Sequence, residues 1–366
     1  MTEAALAIGL VNDRVLSIQY LRAFAAILVA YFHCFANSVA APYVFASTHA
    51  FWGVDIFFVI SGFVIWRSSE GKPFDGVSFV RKRLIRIYPM FWIALTAWIL
   101  VRLIVPDSMG GADINAATVF SSYALLPHFH AVETSKVWPI LVPGWTLQLE
   151  LFFYAVFALI AVMATRFSAA LIAGALACCV LAGFVLQPTS ALGITATRPL
   201  LLEFAAGVIL AANYRAISKW PAWLGCGLIL AAFGSLLMFS GVDDADGQRV
   251  ISYGIAAAML VTGSLVLERY VRRHASRLLE TLGDASYSIY LLHTLVIGFV
   301  AVCWKKLGLT STPSGIALFA SVAVLLSAGA GVLSWFFIER PILRLLSRRG
   351  GTPAASAPLA GGAAAT

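Results

Sequence analysis

Apolar residues in this chain come in long runs separated by short polar breaks, not in the alternation of a half-buried strand. A bilayer core of about 30 Å takes about 20 apolar residues of helix to cross. Ten runs approach that length, near 17–36, 51–67, 87–105, 145–165, 168–186, 198–213, 221–240, 250–267, 285–304 and 314–338. The sixth is short, which suits a less tilted or partly re-entrant segment. The pattern predicts an all-α polytopic integral membrane protein of about ten transmembrane helices. It divides the chain into a cytoplasmic N-terminal segment (1–16), a membrane domain (17–346) and a disordered tail (347–366) of mostly small residues and proline. The first ten residues lack a basic region and no A-x-A site follows the first run, so that run is expected to be a retained helix. No internal repeat is visible.

Composition agrees. Of 366 residues, 61% are hydrophobic and 11% charged, against about 25% charged in soluble domains. Mean hydropathy is +0.90. The net charge of +8 therefore points to cytoplasmic loops and not to nucleic acid. With the N-terminus inside, only Lys136, Arg198, Arg249, Lys305 and Lys306 fall outside, and both ends are cytoplasmic. The acids Asp243, Asp244 and Asp246 fit an outer loop. The five cysteines sit in apolar runs without zinc-ligand spacing, so they read as apolar filler and no metal is expected. The longest outer loop, 106–144, holds Gly110, Gly111, four prolines, His128 and His130. A loop of this length suits a lid or a binding surface.

The chemistry lies in charges that lipid rejects. Arg22 and His33 share the first run. Eleven residues are three helical turns plus about 20°, so both lie on one face with a rise of about 16 Å. Separately, Arg22 reads as snorkelling to lipid phosphate and His33 as a satisfied interior histidine. Together they mark an inward stripe. Asp55 enters the second run at the depth of His33, where a carboxylate would orient the imidazole for general-base work. The bland alternative is a structural His–Asp pair locking two helices. Glu150 and Glu203 sit early in the fourth and sixth runs, so Asp55, Glu150, Glu203 and His33 are expected to share one outer-half cavity. Proton-relay carboxylates of a transporter are the competing explanation. His293 in the ninth run is a weaker candidate. Arg81, Lys82, Arg83 and Arg86 are expected on a short helix ending before Pro89. They read either as plain positive-inside bias or as a seat for the phosphates of a nucleotide-like donor.

Several stretches together resemble the acyltransferase-3 family of bacterial membrane O-acyltransferases. They are the Arg22-x10-His33 pair, GVDIFFVISGF (53–63), RKRLIRIYP (81–89), WTLQLELFFY (145–154), RPLLLEFAAG (198–207), SYSIYLLH (286–293) and FIERP (337–341). SIQYLRAFAAILV also looks like the exopolysaccharide O-acetyltransferase branch. The resemblance implies an inner-membrane fold of about ten helices. It also implies transfer of an acyl group, usually acetyl from acetyl-CoA, to a carbohydrate hydroxyl, with Arg22 and His33 essential. The family often carries an appended SGNH hydrolase-like domain, for which this chain has no counterpart. It is expected to finish the transfer itself or hand over to a partner, such as a polysaccharide-assembly protein.

On this reading Arg22, Arg81, Lys82, Arg83 and Arg86 bind the acyl-CoA. His33, Asp55 and Glu150 are catalytic. Trp145, Glu203, Arg198 and His293 meet the acceptor, a carbohydrate that is free or lipid-linked. A covalent variant places the acyl group on His33. Cys34 points about 100° away on the helix and ranks low. Alternatives are a proton-coupled small-solute transporter, a non-catalytic flippase or assembly subunit, and a transferase acting on a lipid or small molecule.

Overall fold

The computed structural model describes residues 14–35, 52–71, 73–105, 114–163, 168–238, 246–309 and 312–348. Residues 1–13, the acids at 243 and 244, the Gly110-Gly111 pair, Lys72, Arg166 and the tail from 349 lie outside the described residues. The main helices are α1 (Leu16–Phe35), α2 (Trp52–Ser69), α3 (Gly76–Ile104), α4 (Ala116–Tyr123), α5 (Gly144–Met163), α6 (Ala169–Leu186), α7 (Ala191–Ala196), α8 (Leu201–Ala212), α9 (Ala222–Met238), α10 (Gly247–Val266), α11 (Glu268–Arg273), α12 (Arg277–Asp284), α13 (Ser286–Lys306) and α14 (Pro313–Ser347).

Eight units among the described residues are long and apolar enough to cross a membrane: α1, α3, α5, α6, α7 with α8, α10, α13 and α14. The protein is all-helical and multi-pass. The other two expected spans are helices too, but α2 has 18 residues with Asp55 and Arg67 among them, and α9 has 17. The rim is apolar: α6 exposes Phe184, Val185 and Leu186, at 61%, 80% and 73%. Exposed apolar side chains of this kind suit hydrocarbon, since water-soluble monomers rarely expose large apolar patches.

Four sequence expectations need correction. The basic stretch is not a short helix ending before Pro89; α3 starts at Gly76 and runs through the proline to Ile104. Asp75 caps it, accepting from the backbone N–H of Val77 and Ser78 at 3.1 and 3.2 Å. Proline at 89 removes the donor that would serve the Ile85 carbonyl, a loss that membrane helices tolerate where neighbours pack against them; two residues on, the Ile87 carbonyl accepts from the Tyr287 hydroxyl at 2.7 Å. The sixth span begins earlier than expected and is broken: α7 and α8 are separated at 197–200, because Pro199 disfavours helix at Arg198. α14 continues past residue 338 through a π-helical turn, Trp335–Glu339. The long outer loop contains α4, closed at its start by a reciprocal Asn115–Thr118 capping box.

Two glycines set the tightest helix crossing. A Cβ on Gly62 of α2 would lie 2.1 Å from the Phe204 carbonyl oxygen, and one on Gly207 of α8 would lie 2.0 Å from the Val59 carbonyl oxygen. Small residues allow this approach in membranes. Around the crossing, Phe204 stacks on Phe153 at 4.6 Å and tilts against Phe58 at 4.8 Å. Gly207→Val is expected to cost at least about 3 kcal/mol, the upper range for overpacking. Thermal unfolding in detergent checks this; an unchanged midpoint would show that the crossing can relax.

Candidate functional site

α1 carries the Arg22–His33 stripe, and its first turn is pinned. The buried carboxylate of Glu268, on α11, accepts from the backbone N–H of Leu16 and Ser17 at 2.9 and 2.8 Å. These are orphan donors of a helix start, where a negative charge is also favoured by the helix dipole. The sequence-predicted residues then fall into three groups.

The first group lines a cavity of about 160 Å³, in which Arg22, Ser61, Arg83, Arg86, Glu150 and Tyr154 supply the charge and most of the polarity. Glu150 Oε1 accepts from Ser61 at 2.8 Å and from the Tyr154 hydroxyl. Arg86 is paired with Glu339, which lies in the π turn of α14, and its guanidinium stands 5.0 Å over the Tyr287 ring. The other Glu339 oxygen accepts from Ser288 at 2.5 Å. Arg83 donates to Ser68 at 3.0 Å and lies 5.2 Å over the Phe79 ring. Arg81 and Lys82 are exposed and do not line the cavity. The expected basic cluster therefore splits: positions 83 and 86 face inward with Arg22, and 81 and 82 face out.

The second group is a pair of histidines. The rings of His33 and His293 lie 4.6 Å apart at 65°. His33 Nδ1 bonds to the Val29 carbonyl at 2.9 Å, and His293 Nδ1 bonds to the Tyr290 carbonyl. A carbonyl only accepts, so both Nδ1 atoms carry protons and a neutral ring leaves Nε2 as a basic lone pair. Tyr290 separates this pair from the first group. Its ring lines the cavity and stands 5.8 Å from His293, while its hydroxyl bonds to Thr146 and the Pro143 carbonyl, both at 2.9 Å.

The third group surrounds Asp55. Both carboxylate oxygens are bound by Arg249, from Nε and Nη2, each at 3.0 Å, with both side chains buried. The expected His33–Asp55 hydrogen bond does not occur among the described residues; Arg249 is the partner. Trp145 lies beneath two guanidinium groups, Arg198 at 4.7 Å and Arg249 at 5.7 Å. Glu203 is buried at 2% exposure, close against Gly254 in a second π turn, Val250–Gly254.

The single outer cavity expected for the three acids and His33 is thus divided. Only Glu150 of the four lines the cavity. It bonds to Ser61, which lies six residues, or about 9 Å, further along α2 than Asp55 and on a different face. Sequence inspection placed Arg249 in an outer loop and gave it no role. The available signal was charge balance: a buried Asp needs a buried cation. Ser61, Tyr154, Tyr290 and Glu339 lay inside the quoted motifs, but only the fold shows what they touch. No group of three His, Cys, Asp or Glu among the described residues could hold a metal ion.

The family model Acyl_transf_3, an acyltransferase domain, matches residues 15–335. The chain is 35% identical to the exopolysaccharide production protein ExoZ of Rhizobium meliloti (strain 1021), over 85% of this chain and 94% of that protein. It is 28% identical to the acyltransferase MdmB of Streptomyces mycarofaciens, over 83% of each, and 25% identical to Nodulation protein 10 of Rhizobium leguminosarum bv. viciae, over 89% and 92%. No solved structure matches it.

The buried pair gives a stability prediction. Asp55→Asn leaves the Arg249 charge without its partner and is expected to cost about 3–5 kcal/mol, whereas an Asp55→Leu, Arg249→Met double variant is expected to recover most of this. Thermal unfolding of the three proteins checks it. Equal loss in single and double variants would mean the pair is not what holds α2 to α10.

Proposed function

The chain belongs to the acyltransferase-3 family, and on that premise we propose that it moves an acyl group, acetyl in the first instance, from acyl-CoA to a carbohydrate hydroxyl. The donor is cytoplasmic and the protein sits in the bacterial inner membrane. The acceptor is a cell-surface or exported polysaccharide, or its lipid-linked precursor. The name of the ExoZ relative, an exopolysaccharide production protein, supports that acceptor class.

The observation that carries the reading is the division of the α1 stripe. Arg22 reaches the cavity with Arg83 and Arg86, and His33 lies beyond Tyr290 against His293. Three guanidinium groups against one lining carboxylate suit an anionic donor, and forked Arg donors suit phosphates. The extended pantetheine arm is comparable in length with the rise of about 16 Å from Arg22 to His33. A thioester held this way can meet a base at the far end while its phosphates stay with the arginines. His33 presents Nε2 to the attacking hydroxyl, which is a poor nucleophile while protonated. Trp145, Arg198 and Glu203 form the acceptor side. Glu150, held by Ser61 and Tyr154, orders the donor cavity. Arg81 and Lys82 contribute field and no direct contact.

The transporter reading draws less support. It needs carboxylates placed along one path, and Asp55 is instead occupied by a bidentate guanidinium while Glu150 lines a different cavity.

Radiolabelled acetyl-CoA and purified protein in nanodiscs test the proposal. His33→Ala is expected to lose at least about 100-fold in transfer, within the range for general-base catalysis. Arg22→Gln and Arg83→Gln are expected to raise the KM for acetyl-CoA. Label on the wild-type protein that is absent from His33→Ala would select the covalent relay. Near-normal transfer by folded His33→Ala would remove His33 from the mechanism, and a wild type that neither binds nor consumes acyl-CoA would sink the transferase reading.

A further inference from the structure

His293 was read from sequence as an acceptor-binding residue. Its surroundings argue for a different role. It is fully buried at 0% exposure, and its Nε2 has no hydrogen-bond partner among the described residues. Buried polar atoms are normally satisfied, and an exception calls for an explanation such as a catalytic role or a bound group. Nδ1 is turned back to the Tyr290 carbonyl of its own helix, which leaves Nε2 as the ring's unpartnered nitrogen, with the His33 ring of α1 beside it. His33 has the same construction on the facing helix, with Nδ1 on the Val29 carbonyl. Each ring thus keeps a basic Nε2, the ring centres lie 4.6 Å apart, and no hydrogen bond joins the two nitrogens directly. Two lone pairs do not satisfy each other. A hydroxyl-bearing molecule bridging them does.

We infer that His33 and His293 act as one proton-holding dyad, with His293 as the partner that receives the charge His33 acquires during transfer; this rests on the transferase reading above. The acceptor oxygen attacks the thioester carbon, the C–O bond forms and the C–S bond breaks. The hydroxyl proton passes to His33 Nε2. The positive charge is then shared with His293 and with the Val29 and Tyr290 carbonyls, and the dyad returns the proton to the departing thiolate. The products are the ester and the free thiol, with no other reactant needed. The physical reason for a second ring is burial. A lone imidazolium is costly in an apolar interior, and sharing the proton between two rings lowers that cost. His293 acts through His33 and is a positioning residue in this scheme.

The test uses the full chain in nanodiscs, acetyl-CoA as donor and two acceptors of different chemistry. Methyl glucoside offers a hydroxyl that must lose its proton as it attacks. Hydroxylamine is a strong neutral nucleophile that needs little base assistance. His293→Asn keeps an amide N–H in place of Nδ1 and removes the basic nitrogen; His293→Gln is the second variant, closer in volume. Both are expected to lower kcat with methyl glucoside by about 100-fold, at the low end for proton-transfer groups. KM for acetyl-CoA and the uncatalysed-corrected rate with hydroxylamine should stay within about threefold, well below that loss. Equal losses with both acceptors, or unchanged rates with methyl glucoside, would overturn the dyad. Wild-type protein inactive with both acceptors would instead overturn the transferase reading on which it rests.

Discussion

Asp55 is fully buried, and both of its oxygens are taken by one guanidinium. That pairing illustrates the constraint on the whole interior: an ion away from solvent must be matched by another ion or by several hydrogen bonds. Arg86 meets Glu339, whose second oxygen meets Ser288. Glu150 is met by two hydroxyls, and Glu268 by two backbone N–H groups at the start of α1. Most of these matches join different helices: Asp55 with Arg249, Arg86 with Glu339, Ser61 with Glu150, and Glu268 with the start of α1. Together they fix the rotation and height of α1 and of its neighbours α2, α3 and α13.

The matches also decide what is left to react. Asp55 is occupied by Arg249, so the histidine on α1 is oriented by its own helix carbonyl and by a second histidine. The arginines at 83 and 86 divide between aromatic faces, a serine and a carboxylate, and still present a positive lining beside Arg22. Tyr290 stands between the two regions, lining the cavity with its ring while the backbone carbonyl behind it holds His293. In the proposed function, donor recognition and proton transfer are therefore adjacent but distinct, connected along one face of α1.

Irregular backbone occurs beside this machinery. The break at Arg198–Pro199 brings a guanidinium to Trp145. The π turn at Val250–Gly254 follows Arg249, and the π turn at Trp335–Glu339 carries the partner of Arg86. Single π turns inside helices are frequent at functional sites, because the extra residue redirects a side chain without ending the helix.

Sequence alone determined the solvent and the class of the fold. Runs of about 20 apolar residues with few charges read as membrane helices, and each expected span contains a helix among the described residues. It also singled out Arg22 and His33, since helical periodicity places residues eleven apart on one face whatever surrounds them. The partners of those charges were decided by the tertiary fold. Depth along a helix can be estimated from residue number, but which face meets which neighbour depends on crossings such as Gly62 against Phe204, and these involve residues far apart in the chain. For that reason Asp55 was legible as a buried acid and Arg249 was not legible as its partner. Likewise His293 was visible as a buried histidine, and only the packing of α13 on α1 set it against His33.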